Sequence, residues 1–106
     1  MVLKRSEGMV YTRDEIKRRL TPVFQRYGIK KAVLFGSYGK GTATDSSDVD
    51  IMVESGLRGL KFVGLIEDIR ESLNDKDVDL LDVSHIEKNS RVEEEIQKTG
   101  VSIYEE

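Results

Sequence analysis

Apolar residues recur along this chain with two periods, one helical and one extended, and the changes of period mark out seven elements. Ile16, Leu20, Val23, Phe24 and Tyr27 fall on one narrow helical stripe, with Lys17, Arg18, Gln25 and Arg26 away from it. Thr12-Arg13-Asp14-Glu15 reads as a capping box that opens this helix, and Gly28 is its natural stop. Pro22 projects on the solvent side and is expected to kink it. Ala32 to Phe35 is a short apolar run of strand type that ends abruptly at Gly36. A segment of small residues, Gly36 to Ser47, leads to a second strand over Val49 to Val53, which closes near Gly56.

From about Gly59 to Asn74 the helical period returns. Phe62, Val63, Leu65, Ile66, Ile69 and Leu73 form a wide stripe, its outer edge available to a partner. A third strand follows over Asp77 to Val83. Ser90-Arg91-Val92-Glu93 reads as a second capping box, opening a short charged helix that stops at Gly100. Val101 to Tyr104 is a last strand, expected at an edge. The order helix, strand, strand, helix, strand, helix, strand predicts an α/β (α+β) fold: a small mixed sheet of about four strands, backed by helices mostly on one face. The expectation is one domain over residues 1–106, with residues 1–10 a loosely held tail and Met9 an alternative start.

Composition narrows the function. Hydrophobic residues make up 38% and charged residues 35% of the 106, which suits a solvated globular chain rather than a disordered one. A net charge of −3 argues mildly against nucleic acid as a partner. The absence of cysteine excludes disulfides and thiolate chemistry. No stretch approaches transmembrane length and the start lacks a signal-peptide run, so the expected location is the cytoplasm, away from membranes.

The chemistry is concentrated between residues 36 and 50. Gly36-Ser37 follows directly on a strand, where a glycine lets backbone approach a ligand and the amides opening a short helix attract an anion. The Ser37 hydroxyl can add a donor to a phosphate oxygen. Asp48 and Asp50 are alternate residues at a strand start, so their carboxylates emerge on one face with Cα atoms roughly 6.5–7 Å apart. Such a pair repels unless a cation lies between them. Two Mg²⁺ ions about 3.5–4 Å apart would relieve the repulsion and suit in-line nucleotidyl displacement. Taken singly, a Gly-Ser turn or an Asp-x-Asp is weak evidence.

The conjunction is specific: Gly-Ser, ten intervening residues, then Asp-x-Asp, between two hydrophobic strands. It resembles the signature of the DNA polymerase β-like nucleotidyltransferase superfamily, most closely its stand-alone minimal members, from Thr12 to the closing Gly100–Tyr104. The resemblance implies that Asp48 and Asp50 ligate two metal ions. It also implies a third carboxylate that joins them and activates the attacking hydroxyl. Asp79 matches that position best; Asp77 shares its face and Asp82 lies on the other. Gly36 and Ser37 would hold the triphosphate. Lys40 stands where many relatives have arginine, keeping a charge for a phosphate without the bidentate fork. Asp45 replaces a common proline.

The implied reaction transfers NMP, AMP from ATP foremost among the candidates, to a hydroxyl with release of pyrophosphate. Minimal nucleotidyltransferases often accompany a small helical HEPN-type toxin, and some silence it by adding AMP to a tyrosine. This chain resembles such an antitoxin. The alternatives are an idle module that neutralises a partner by contact, and an aminoglycoside-type enzyme acting on a small molecule. The chain is too short for the helical domain that larger members add, so acceptor binding is expected from a partner or a second copy. His85, the only histidine, reads as a solvated loop residue, and Glu93-Glu94-Glu95 as a solvated helix face near a positive N-terminus. Tyr38 is open between touching the nucleotide and packing over the turn.

Overall fold

A computed structural model describes residues 10–106. The expected loose tail and the alternative start at Met9 lie, except for Val10, outside the described residues. The first helix, α1, spans Arg13–Tyr27 and opens with the full reciprocal box: the Glu15 amide donates to the Thr12 hydroxyl and the Glu15 carboxylate accepts from the Thr12 amide. It continues through exposed Pro22 and stops at Gly28, whose φ of 67° is the left-handed turn that glycine adopts without a Cβ penalty.

Strand β1 (Lys31–Phe35) runs straight into a five-residue helix, α2 (Gly36–Lys40). After a small-residue loop come β2 (Val49–Glu54), α3 (Leu60–Ser72) and β3 (Val78–Asp82). A 3₁₀ turn over Val83–His85 ends the third strand one residue earlier than its apolar pattern suggests. Helix α4 (Arg91–Thr99) and β4 (Val101–Glu105) complete the chain. The second capping box forms only in part. The Glu93 amide donates to the Ser90 hydroxyl, but the Glu93 carboxylate accepts from the Asn89 amide at 2.7 Å instead of from Ser90.

The four strands lie in the order β3-β2-β1-β4. Pairing is antiparallel except between β2 and β3, which are parallel because α3 carries the chain back across the sheet between them. As expected, the sheet is mixed and β4 is an edge. Ile16, Leu20 and Phe24 of α1 and Leu65 and Ile69 of α3 are fully buried with Leu34, Ile51 and Val53 of the sheet. Each such side chain contributes about 1.5–3 kcal/mol by leaving water. These two helices therefore claim one face of the sheet. Helix α4 instead packs against β1 and α2. The exposed outer edge of α3 is Leu60 and Val63.

Candidate active site

Strand alternation decides which side chains reach the open face. Val49, Ile51 and Val53 point into the core with no exposure at all, which turns Asp48 and Asp50 the other way. The Val49 amide donates to the Asp77 carbonyl at 3.0 Å, and the parallel register continues with Asp50 opposite Asp79. On its other side Asp50 faces Phe35, the last residue before Gly36. Since Leu80 is buried in the core, Asp79 shares the face of Asp50. The sheet thus brings Asp48, Asp50 and Asp79 together at the end where β1 meets the Gly-Ser turn.

Crowding leaves an electrostatic mark. The Asp50 carboxyl is pushed up to about 6, first by burial and then by the charges of Asp79, Asp48 and Glu95. Glu95 is a fourth carboxylate and sits on α4, so the glutamate run there is not uniformly a solvated face. Among the described residues no three acidic groups stand ready-made as a metal cage; like charges at this spacing draw together only around a cation. The donor set nevertheless suits Mg²⁺. It consists of hard carboxylate oxygens on adjacent strands, one of them pushed toward its neutral form first by burial and then by its charged neighbours.

The turn beside these acids leaves no room for a side chain. Phe35 is extended, Gly36 has φ +70°, and a Cβ built on Gly36 would land on Oδ2 of Asp50. The Gly36 amide donates to the Thr99 hydroxyl at 2.8 Å. That revises one expectation: the N–H of Gly36 is engaged inside the protein, leaving any anion to the amides that follow it. Ser37 is half-buried, and its carbonyl accepts from the amides of Gly41 and Thr42, which closes α2. Lys40 is exposed at the C-terminal end of α2, a turn away from Gly36. Tyr38 is buried in the core cluster, so it packs beneath the turn.

The lesser candidates fall elsewhere. Asp82 is 4% exposed and points away from the acids. Burial alone would raise its carboxyl, but hydrogen bonds from the hydroxyls and amides of Ser55 and Ser84 outweigh that and hold it at about 2. It ties the end of β3 to the loop after β2. His85 is exposed beyond that same end. The larger cavity, about 710 Å³, is there too, lined by Ser55, Phe62, Asp82 and His85 among others. Of the three acids only Asp48 lines a depression, a smaller one of about 230 Å³ shared with Ser47 and Asp77. Convergent charge is a better guide to chemistry than cavity size, and the charge converges where Asp50 meets Asp79.

The polymerase beta nucleotidyltransferase family matches residues 18–106, which span both the Gly-Ser turn and the acids. The chain belongs to that family. As a nucleotidyltransferase it has relatives in Methanocaldococcus jannaschii named as protein adenylyltransferases. One is 39% identical over 75 residues, covering 69% of this chain and 80% of the relative. Another is 38% identical over 80 residues, covering 70% and 92%. Solved nucleotidyltransferase-like chains share the fold. One, from a toxin–antitoxin crystal structure with AMP-PNP, has TM-score 0.69 and 25% identity over 85% of this chain and 73% of the other. A second comes from a complex of a tri-AMPylated Shewanella oneidensis HEPN toxin with an MNT antitoxin. It has TM-score 0.65 and 21% identity, over 89% of this chain and 73% of the other.

Two residues of this nucleotidyltransferase escape a reading by composition, Glu95 and Thr99, and both come from α4. The signal was present in the spacing. Glu95 and buried Thr99 are four residues apart, so Glu95 shares the inward side of α4 that exposed Glu94 avoids. Among the described residues no helix is long and apolar enough to cross a membrane.

Proposed function

We propose that this nucleotidyltransferase is a cytoplasmic, Mg²⁺-dependent adenylyltransferase that moves AMP from ATP to a tyrosine hydroxyl of a small helical HEPN-type toxin and so acts as its antitoxin. The observation that carries the reading is the register of Asp50 against Asp79 beside the Gly36-Ser37 turn, with Asp48 on the same face. Support for the nucleotide and the protein acceptor comes from the adenylyltransferase relatives and from the likeness to a toxin–antitoxin chain with AMP-PNP.

In this reading Asp48 and Asp50 would hold the metal ions, and Asp79 would add a third carboxylate to them. Mg²⁺ bound there would neutralise the triphosphate and lower the pKa of the attacking hydroxyl. Ser37 and the α2 amides after Gly36 hold the triphosphate through its anionic oxygens. Asp79 accepts the proton of the acceptor hydroxyl, whose oxygen forms a new bond to the α-phosphorus. The bond from that phosphorus to the bridging oxygen breaks and pyrophosphate leaves. Lys40 reaches a phosphate only from the far end of α2, which makes it an accessory charge. Acceptor specificity falls to the partner, because the acids lie on an open sheet face.

The deciding experiment incubates the chain with α-labelled ATP and Mg²⁺, with and without a HEPN-type partner, beside the Asp48→Asn/Asp50→Asn variant. Label on the partner that disappears in the variant is the expected result. Full neutralisation of the partner by the variant would replace catalysis with a contact mechanism.

A further inference from the structure

The Gly-Ser turn does not hold itself in place. Its first amide, on Gly36, is turned toward α4 and donates to the Thr99 hydroxyl at 2.8 Å in a buried contact. That hydroxyl in turn donates to the Glu95 carbonyl at 2.7 Å, which fixes its rotamer so that a lone pair faces Gly36. Thr99 is only 9% exposed, and its surroundings leave it no freedom. A Cβ on Gly39 would strike the Thr99 carbonyl oxygen, and one on Gly100 would strike the Ile96 carbonyl and approach Cγ1 of Val33 to 2.9 Å. Helix α4 therefore ends flush against α2, glycine to backbone, with Thr99 as the one polar link between them among the described residues.

We infer that Thr99 is a positioning residue for the nucleotide: its hydroxyl locks Gly36 and thereby aims the following α2 amides and Ser37 at the triphosphate. This inference rests on the nucleotidyltransferase reading above. The physical ground is that a buried amide is rarely left without an acceptor. Without the hydroxyl, Gly36 must rotate or shift to reach water, and its neighbours in the five-residue helix move with it. The acids on β2 and β3 are held by the sheet instead and stay where they are.

Thr99→Val keeps the shape and removes the hydroxyl; Thr99→Ser keeps the hydroxyl. The expected result is weaker binding of AMP-PNP with Mg²⁺ by Thr99→Val, about tenfold or more, with Thr99→Ser close to the unaltered chain. In parallel, hydrogen exchange at the Gly36 amide should speed up in Thr99→Val and recover in Thr99→Ser. Unchanged AMP-PNP binding by a folded Thr99→Val overturns the inference alone. So does equal weakening in both variants, which would mark a packing role. Failure of the unaltered chain to bind AMP-PNP at all overturns the nucleotide reading, and the inference with it.

Discussion

The carboxylate of Asp50 occupies the space that a side chain on Gly36 would need. Two motif residues fourteen positions apart in the sequence are thus in van der Waals contact, because β1 delivers the turn to the end of the strand pair where Asp50 faces Phe35. The acids and the phosphate turn therefore meet at this contact, and a side chain added at Gly36 would press directly on Asp50.

Gly36→Ala is accordingly expected to be damaging twice over. The residue is held at φ +70°, where an alanine costs about 1–2 kcal/mol, and the added methyl displaces the Asp50 carboxylate. A misplacement of about 1 Å at a reacting centre is worth roughly 100-fold in rate. Transfer activity should therefore fall at least that far while the melting temperature drops by only several degrees. An alanine variant with near-normal turnover would show that Asp50 does not need its observed position.

Stability without metal should depend on pH through Asp50. Its carboxyl is raised in the folded chain to about 6, through burial first and the neighbouring Asp79, Asp48 and Glu95 charges after it. A raised acid binds its proton more tightly when folded, so stability declines as pH climbs from about 4 to 6 and stays reduced above that. Asp50→Asn removes the liability. Thermal melts in chelator should find the asparagine variant more stable than the unaltered chain at pH 7.5, with the gap closing at pH 4. Mg²⁺ at pH 7.5 should raise the melting temperature of the unaltered chain and not that of the variant. A gap independent of pH would mean that Asp50 is not under charge strain.

Much of this arrangement was legible in the residues. The Thr12–Glu15 box, the stop at Gly28 and the alternation through Val49, Asp50 and Ile51 are local signals, and local geometry honours them. The strand order was not legible, because which strands pair depends on how α3 and α4 carry the chain across the sheet. Choosing Asp79 among Asp77, Asp79 and Asp82 rested on family resemblance. Its position beside Asp50 follows from a parallel register that no local pattern encodes. Glu95 was hidden for a different reason. Three consecutive glutamates look solvated by composition, while the helical period sends one of them toward the acids.

Glu95 offers a test of how far the acidic cluster extends. It is the weakest of the charges acting on Asp50, behind Asp79 and Asp48. Glu95→Gln should therefore ease Asp50 toward the ordinary carboxylate range and move the acidic limb of the pH–rate profile to lower pH, with little change in the plateau rate. A profile that stays in place would put Glu95 outside the field that matters for turnover.

Asp79 and Asp82 lie three residues apart on one strand and should fail in opposite ways. Asp79 is exposed on the open face, so Asp79→Asn is expected to leave the fold intact and cut kcat by about 10²–10⁴, the usual contribution of a positioned base. Asp82 is buried and accepts four hydrogen bonds from Ser55 and Ser84, with its carboxyl held at about 2. Asp82→Asn should cost about 2–3 kcal/mol of stability, since two of those donors then face an amide nitrogen. Activity per folded molecule should survive. A depressed carboxyl stabilises the fold above about pH 4 and loses that effect as pH falls toward 2, so the stability gap between Asp82→Asn and the unaltered chain should narrow in acid. Rates and denaturant melts on both variants separate the two roles. Loss of kcat in a well-folded Asp82→Asn, with Asp79→Asn active, would move the proposed base to the other face of the sheet.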